Sequence, residues 1–149
     1  MSIEGLYIQY KGLLTRLFDI MPIIYLSAND LGDVNGQQVT AFGGVQDVNS
    51  YTVLNNIVTT ASGIGLGTDV IRKTFSHYLY YISKQKPFYA HNSRTGALSA
   101  LYFLELNGRT WNGEEEILID IAQKAELNSS YTWQQAYSDV VSCGVATIS

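Results

Sequence analysis

The stretch Lys86–Gly108, KPFYAHNSRTGALSALYFLELNG, decides the fold. Its first part, Lys86 to Asn92, is short and polar and reads as a loop. From about Ser93 to Asn107 the chain is apolar nearly all the way round a helix, through Ala97, Leu98, Ala100, Leu101, Tyr102, Phe103, Leu104 and Leu106. A helix without a wet face belongs in a core. Asn107-Gly108 supplies its stop, because glycine accepts the left-handed backbone that often ends a helix. The helix therefore begins where a polar loop ends. Unpaired N–H groups and partial positive charge collect there and suit an anion such as a phosphate. Arg94 falls in the first turn, where a cation opposes the helix dipole. Two readings of it stand side by side: a second charge for the same anion, or a side chain turned to solvent.

Helical spacing recurs on both sides of this stretch. Leu6, Tyr10, Leu13, Leu14 and Leu17 share one face over residues 3 to 18, a pattern that Met21-Pro22 ends. It is a helix for packing on the core or on a second copy of the chain, or else a docking helix. Ser27, with Asp30 three positions later and Leu26 and Leu31 as a staple, starts a helix over residues 26 to 39. Residues 40 to 47 read as a loop punctuated by Gly43-Gly44. Asp47 is expected to cap the next helix, with Val48, Tyr51, Leu54, Ile57 and Val58 inside. Residues 59 to 68, TTASGIGLGT, read as a mobile connection, since they lack the lysine that ends a phosphate-binding P-loop. Thr68 and Asp69 open a helix with Ile71, Phe75, Tyr78, Leu79 and Ile82 inward. His77 on that helix is expected to be a packed or surface residue rather than a ligand.

After the central helix, Trp111-Asn112-Gly113 makes a turn. Glu114, Glu115 and Glu116 occupy a first turn, where acids favour the dipole, and this explains the acidic run without a metal. Ile117, Leu118, Ile121 and Ala125 form its inner face. Thr132 and Gln135 fit a capping box for a last helix through about Val141, and the tail after Cys143 is expected to fray. The class is all-α, a bundle of about six to seven helices around one buried central helix.

Composition narrows the function. The 149 residues suit one domain, and with 46% hydrophobic and 15% charged residues the chain can build a core. A net charge of -4 argues against a nucleic-acid binder, which carries a basic footprint. No apolar run is long enough for a membrane span, and Lys11, Arg16 and Asp19 break up any signal-peptide pattern. The lone Cys143 suits a reducing compartment, so the expected localisation is cytoplasmic. Most of the eleven tyrosines are expected to be half-buried, ring packed and hydroxyl wet.

The central stretch resembles the signature of the Fic/Doc family, roughly His-x-Phe-x-Asp-(Gly or Ala)-Asn-(Lys or Gly)-Arg. In the Doc branch, the death-on-curing toxins, this continues with Thr-Ala and an apolar helix ending Phe-Leu-x-x-Asn-Gly. Pro87, Phe88, Asn92, Arg94, Thr95 and the run Phe103-Leu104-Glu105-Leu106-Asn107-Gly108 match. Tyr25-Leu26-Ser27, Asp30-Leu31, Gly43-Gly44-Val45-Gln46-Asp47 and the region Ala122 to Trp133 extend the likeness to about residues 21 to 142. On that likeness Met21 corresponds to the start of shorter relatives, giving an N-terminal helical extension over 1–20 and a Fic/Doc-like domain over 21–149.

The resemblance implies an all-α nucleotide-using protein. Most Fic enzymes transfer AMP to a protein hydroxyl. The Doc branch, a toxin of phage and plasmid addiction pairs, resembles a kinase of the translation elongation factor that delivers aminoacyl-tRNA. In the family mechanism the motif His is the general base toward the hydroxyl, and the acid holds Mg2+ with the phosphates. Backbone N–H groups and the Asn hold phosphate at the helix start, and the Arg neutralises charge as the phosphoryl bond breaks. On that pattern Asn92, Ser93 and Arg94 are the nucleotide- or phosphate-binding residues, Phe88 the loop anchor and ATP the cofactor.

This chain departs from the pattern where the chemistry lies. Lys86 stands in place of the His, and a lysine ammonium has no lone pair to accept a proton at neutral pH. Ala90 stands in place of the acid and has no atom to ligate Mg2+. His91 replaces a small Gly or Ala, and Ser93 a Lys or Gly. Three readings follow. The first is a pseudoenzyme, a Fic/Doc-like fold without transfer activity that binds a nucleotide or a protein. The second is a transferase rerouted through His91 as base, with Lys86 as a cation in place of some of the metal's charge and Arg94 retained. The third is a non-enzymatic interaction module, a homo-oligomer using the residue 3 to 18 helix. No inhibitory Ser- or Thr-x-x-x-Glu-Gly motif is found. By resemblance, the partners are a small separate antitoxin and a translation factor; from charge and hydropathy, no nucleic acid and no membrane are expected.

Overall fold

The computed structural model describes residues 2–6, 8–10, 13, 22–65 and 69–144, with side chains up to 142. Among them lie six complete helices: α1 (Ala28–Phe42), α2 (Tyr51–Ser62), α3 (Val70–Gln85), α4 (Asn92–Leu106), α5 (Glu115–Leu127) and α6 (Trp133–Gly144). The class is all-α, as the periodicities predict. Val48 and Phe88 form an isolated antiparallel bridge.

α4 packs against α3, α5 and α1, and α3 in turn touches α2, α5 and α6. α3 and α4 come close at Gly96. A Cβ there would stand 2.7 Å from Ser83 Oγ and 2.9 Å from the Leu79 carbonyl oxygen, distances that hold two helix backbones together only if the residue is glycine. Thr95, Ala97, Ser99 and Ala100 keep the rest of that side small, and Phe103 and Leu104 fill the space beyond. The Phe103 ring lies 5.4 Å from that of Tyr78. Burying side chains of this size stabilises by about 1.5–3 kcal/mol each. Tyr78 is fully buried, and burial pushes its phenol up to about 12. Its hydroxyl accepts the Leu26 N–H at 3.0 Å, which fastens the approach to α1 onto the core.

The central helix is drier on paper than in space. Leu98, Leu101, Tyr102 and Leu106 are only half-buried. Three of them line a cavity of about 480 Å3 shared with α1, with Asp30, Asp33 and Glu105 also in its lining. The stop is where the sequence puts it. Gly108 takes φ 68, and the N–H groups of Gly108 and Arg109 donate to the carbonyls of Glu105 and Leu104 at 3.1 and 2.9 Å. The Asn107 side chain also accepts the Ile24 N–H and donates to the Ile24 and Phe103 carbonyls.

Both expected capping boxes form. Asp30 N–H donates to Ser27 Oγ while the Ser27 N–H donates to the Asp30 carboxylate. Thr132 and Gln135 exchange the same pair of bonds. Other boundaries shift. α1 runs three residues past the expected end and stops where Gly43 turns to φ 83, so Thr40 to Phe42 are helix, not loop. α2 is capped by Ser50, whose side chain accepts the Val53 N–H, rather than by Asp47. Tyr51, expected inside, is 65% exposed. Thr59 to Ser62 continue α2, which shortens the expected mobile connection; residues 66–68 lie outside the described ones. α6 continues past Val141 to Gly144. His77 is packed.

The reading of residues 3 to 18 as one amphipathic helix, the stop at Met21 and the fraying of the tail fall largely outside the described residues. Residues 3–6 and 8–10 are helical, and Leu6, Tyr10 and Leu13 are exposed. No helix among the described residues is long and apolar enough to cross a membrane.

Candidate functional site

The loop between α3 and α4 opens and closes on two non-glycine residues in the left-handed region. Lys86, after the last residue of α3, has φ 51, and His91, before the first residue of α4, has φ 58. Such a backbone costs a residue with a Cβ about 1–2 kcal/mol. Two of them within one short loop require that the surroundings fix its path.

Those surroundings are polar clamps. The Asn92 side chain, 5% exposed, folds back on the loop. Its Oδ1 accepts the Phe88 N–H at 3.0 Å and its Nδ2 donates to the Phe88 carbonyl at 2.9 Å. Phe88 carries its ring into the core, 2% exposed. The Pro87 carbonyl accepts the N–H groups of Asn49 and Ser50 at 2.7 and 3.1 Å, and the Tyr89 N–H reaches the Asp47 carbonyl at 3.3 Å. Asp47 thus serves the loop through its backbone, while its carboxylate accepts the Val48 N–H. From α1, Asn35 Nδ2 donates to the Ala90 carbonyl at 2.7 Å and to Thr95 Oγ1 at 3.2 Å.

His91 Nε2 lies 2.6 Å from the Gly43 carbonyl oxygen. A carbonyl only accepts, so Nε2 carries the proton there. Gly44 passes directly over this point, and a Cβ on it would come 3.1 Å from the Ala90 methyl carbon. The Arg94 guanidinium lies over the Phe42 ring, 4.2 Å from its centre, and its Nε donates to Gln38 Oε1 at 3.3 Å. Arg94 is therefore partnered inside the chain, and the reading of it as a side chain simply turned to solvent is corrected. Ser93 is 7% exposed, and the first intrahelical bond runs from the Thr95 N–H to the His91 carbonyl at 2.9 Å. The N–H groups of Asn92, Ser93 and Arg94 precede that bond and have no carbonyl within the helix to meet.

His91, Asn92, Ser93 and Arg94 thus come together at the start of α4. Lys86 is exposed at the far end of the loop. Ala90 brings no acid, and no group of three or more metal-ligating side chains occurs among the described residues. Three participants escape the sequence reading: Asn35, Gln38 and Phe42. They follow helical spacing on one face of α1, but only the position of α4 opposite turns that face into a clamp.

No family model matches the chain, and no curated protein matches it.

Proposed function

We propose that the chain is a Fic/Doc-like protein, related to toxins that transfer phosphate or AMP from ATP to a protein hydroxyl, that has lost the transfer step and acts by binding. The observation that carries this reading is how the loop side chains are used. Asn92 holds Phe88, His91 holds Gly43, and Lys86 is an exposed cation at the far end. The Lys86 ammonium, in the place of the motif His, has no lone pair to take a proton from a hydroxyl, and no carboxylate in the loop is available to Mg2+. The resemblance in the motif and in the helix that follows supports the family; the departures at Lys86 and Ala90 support the loss.

What the loop retains is suited to an anion. The start of α4 presents the N–H groups of Asn92, Ser93 and Arg94 together with the Arg94 guanidinium, a combination of dipole and charge that favours a phosphate group of a nucleotide. Phe42, 57% exposed, and Gly43-Gly44 stand over it, so a ligand displaces the Arg94–Phe42 contact on arrival. The rerouted transferase draws on His91, whose Nδ1 keeps a lone pair while Nε2 donates to Gly43, but the loop gives it no carboxylate to hold Mg2+ with the phosphates. The interaction-module reading draws on Ile3, Leu6, Ile8, Tyr10 and Leu13, all exposed, as an apolar surface for a second copy.

Labelled ATP offered with a translation elongation factor tests the proposal, with an intact family member as positive control. No label is expected on the factor, whether the label is in the α or the γ phosphate, and calorimetry is expected to register ATP binding. Label on the factor overturns the loss of transfer; absence of any heat leaves the interaction module.

A further inference from the structure

We propose that the cleft between α2 and α3 is a binding site for an uncharged heterocycle with an amide edge, a nucleobase or nucleoside. It is separate from the start of α4 and does not depend on the reading given to that site.

The cleft holds about 510 Å3, within the range of small-molecule sites. No residue that lines it carries a formal charge at neutral pH. Its polar members are the carboxamides of Asn56 and Gln85, the hydroxyls of Thr60 and Tyr81, and His77; Val53 and Ile57 supply apolar surface. A phosphate or an ammonium here would meet no counter-charge in the lining, which favours a neutral occupant. Among the described residues, the side chains of Asn56, Thr60, Tyr81 and Gln85 make no hydrogen bond within the chain. They remain available to a ligand.

The donor set narrows the class. A carboxamide offers a donor and an acceptor side by side, the arrangement that pairs with the edge of a base through two bonds. Two carboxamides are present, one from each helix. Tyr81 adds its hydroxyl and part of an aromatic ring, which Tyr80 also packs, with centroids 4.9 Å apart and planes at 85°. His77 holds that ring, with centroids 5.0 Å apart and planes tilted by 49°. His77 itself is 3% exposed and its tautomer is fixed. Its Nε2 lies 2.8 Å from the Ile57 carbonyl oxygen, so Nε2 donates and Nδ1 keeps a lone pair. Burial lowers its pKa, and the ring is neutral like the rest of the lining.

Titration of the full chain with adenosine, guanosine, cytidine and uridine, followed by amide NMR, tests the proposal. At least one nucleoside is expected to shift the amides of residues 53–60 and 77–85 saturably. Asn56→Ala and Gln85→Ala are each expected to weaken it by about tenfold, the loss of one two-bond pair. Both residues are exposed, so the spectrum of the free variant shows directly that it is folded. No saturable shift with any of the four nucleosides overturns the proposal. So does binding that ignores both substitutions, or equal binding of neutral sugars. Nucleosides carry no phosphate, so failure of ATP to bind at the start of α4 leaves this result standing.

Discussion

The loop before α4 and the cleft between α2 and α3 meet at the Gln85–Lys86 peptide, yet they treat polar groups in opposite ways. In the loop, Asn92, Asn35 and His91 are occupied by the chain's own backbone, at distances of 2.6 to 3.0 Å. In the cleft, the side chains of Asn56, Thr60, Tyr81 and Gln85 make no hydrogen bond within the chain. The same residue types therefore do different work. A buried carboxamide that satisfies a backbone holds a shape, and its loss costs stability. An exposed one beside a ring costs little to change and is available to a ligand.

That contrast sets the sizes of the effects expected from substitution. Asn92→Ala is expected to be the most damaging, because the buried Phe88 loses partners for both its N–H and its carbonyl. A loss of about 2–4 kcal/mol is expected in chemical denaturation. A loss below 1 kcal/mol, with the loop unchanged by hydrogen exchange, would place the restraint elsewhere. Gly96→Ala comes next. The added methyl meets a carbonyl oxygen at 2.9 Å, and forcing α3 and α4 apart is expected to cost about 1–3 kcal/mol even after the gain in helix propensity.

His77 sharpens the comparison from the cleft side through pH. Its folded pKa is depressed by burial, so between that value and its unfolded pKa near 6.5 the unfolded chain binds more protons than the folded one. Stability is then expected to rise with pH, and to fall by at most about 1.4 kcal/mol per unit as pH drops below 6.5, until the folded pKa is reached. Denaturation curves for the chain and for His77→Gln, compared between pH 7 and 5, isolate this contribution; parallel curves would contradict it. Lys86→Gly is expected to have the smallest effect and the opposite sign. Relief of the left-handed backbone outweighs the entropy of glycine by about 0.5 kcal/mol, raising the melting temperature slightly.

Much of the fold was legible because its signals are local. Ser27 with Asp30 and Thr132 with Gln135 announce their helices within four residues, and Asn107-Gly108 ends α4 by a backbone conformation that glycine favours. Asp47 misled for a related reason. It has the chemistry of a cap, but its carbonyl is claimed by Tyr89 from a distant part of the chain, and Ser50 takes the role. The candidate site was legible in its own loop and not in its supports. Nothing in the run from Asn35 to Phe42 says that three of its side chains will face the start of α4, because that depends on which helix packs opposite. The conformation of His91 had a signal: the resemblance puts a small residue at that position, and φ 58 is a backbone that glycine adopts freely. The openness of the α2–α3 cleft had none. Asn56, Thr60 and Gln85 read as an ordinary solvated face.

The most direct test of an anion site at the start of α4 is an amide NMR titration with inorganic triphosphate, which carries charge but no base. The expected result is saturable movement of the Asn92, Ser93 and Arg94 amides, together with loss of the Arg94 contact to Phe42 and no response in the α2–α3 cleft. Unmoved amides at 92–94, or movement confined to exposed lysines, would contradict it.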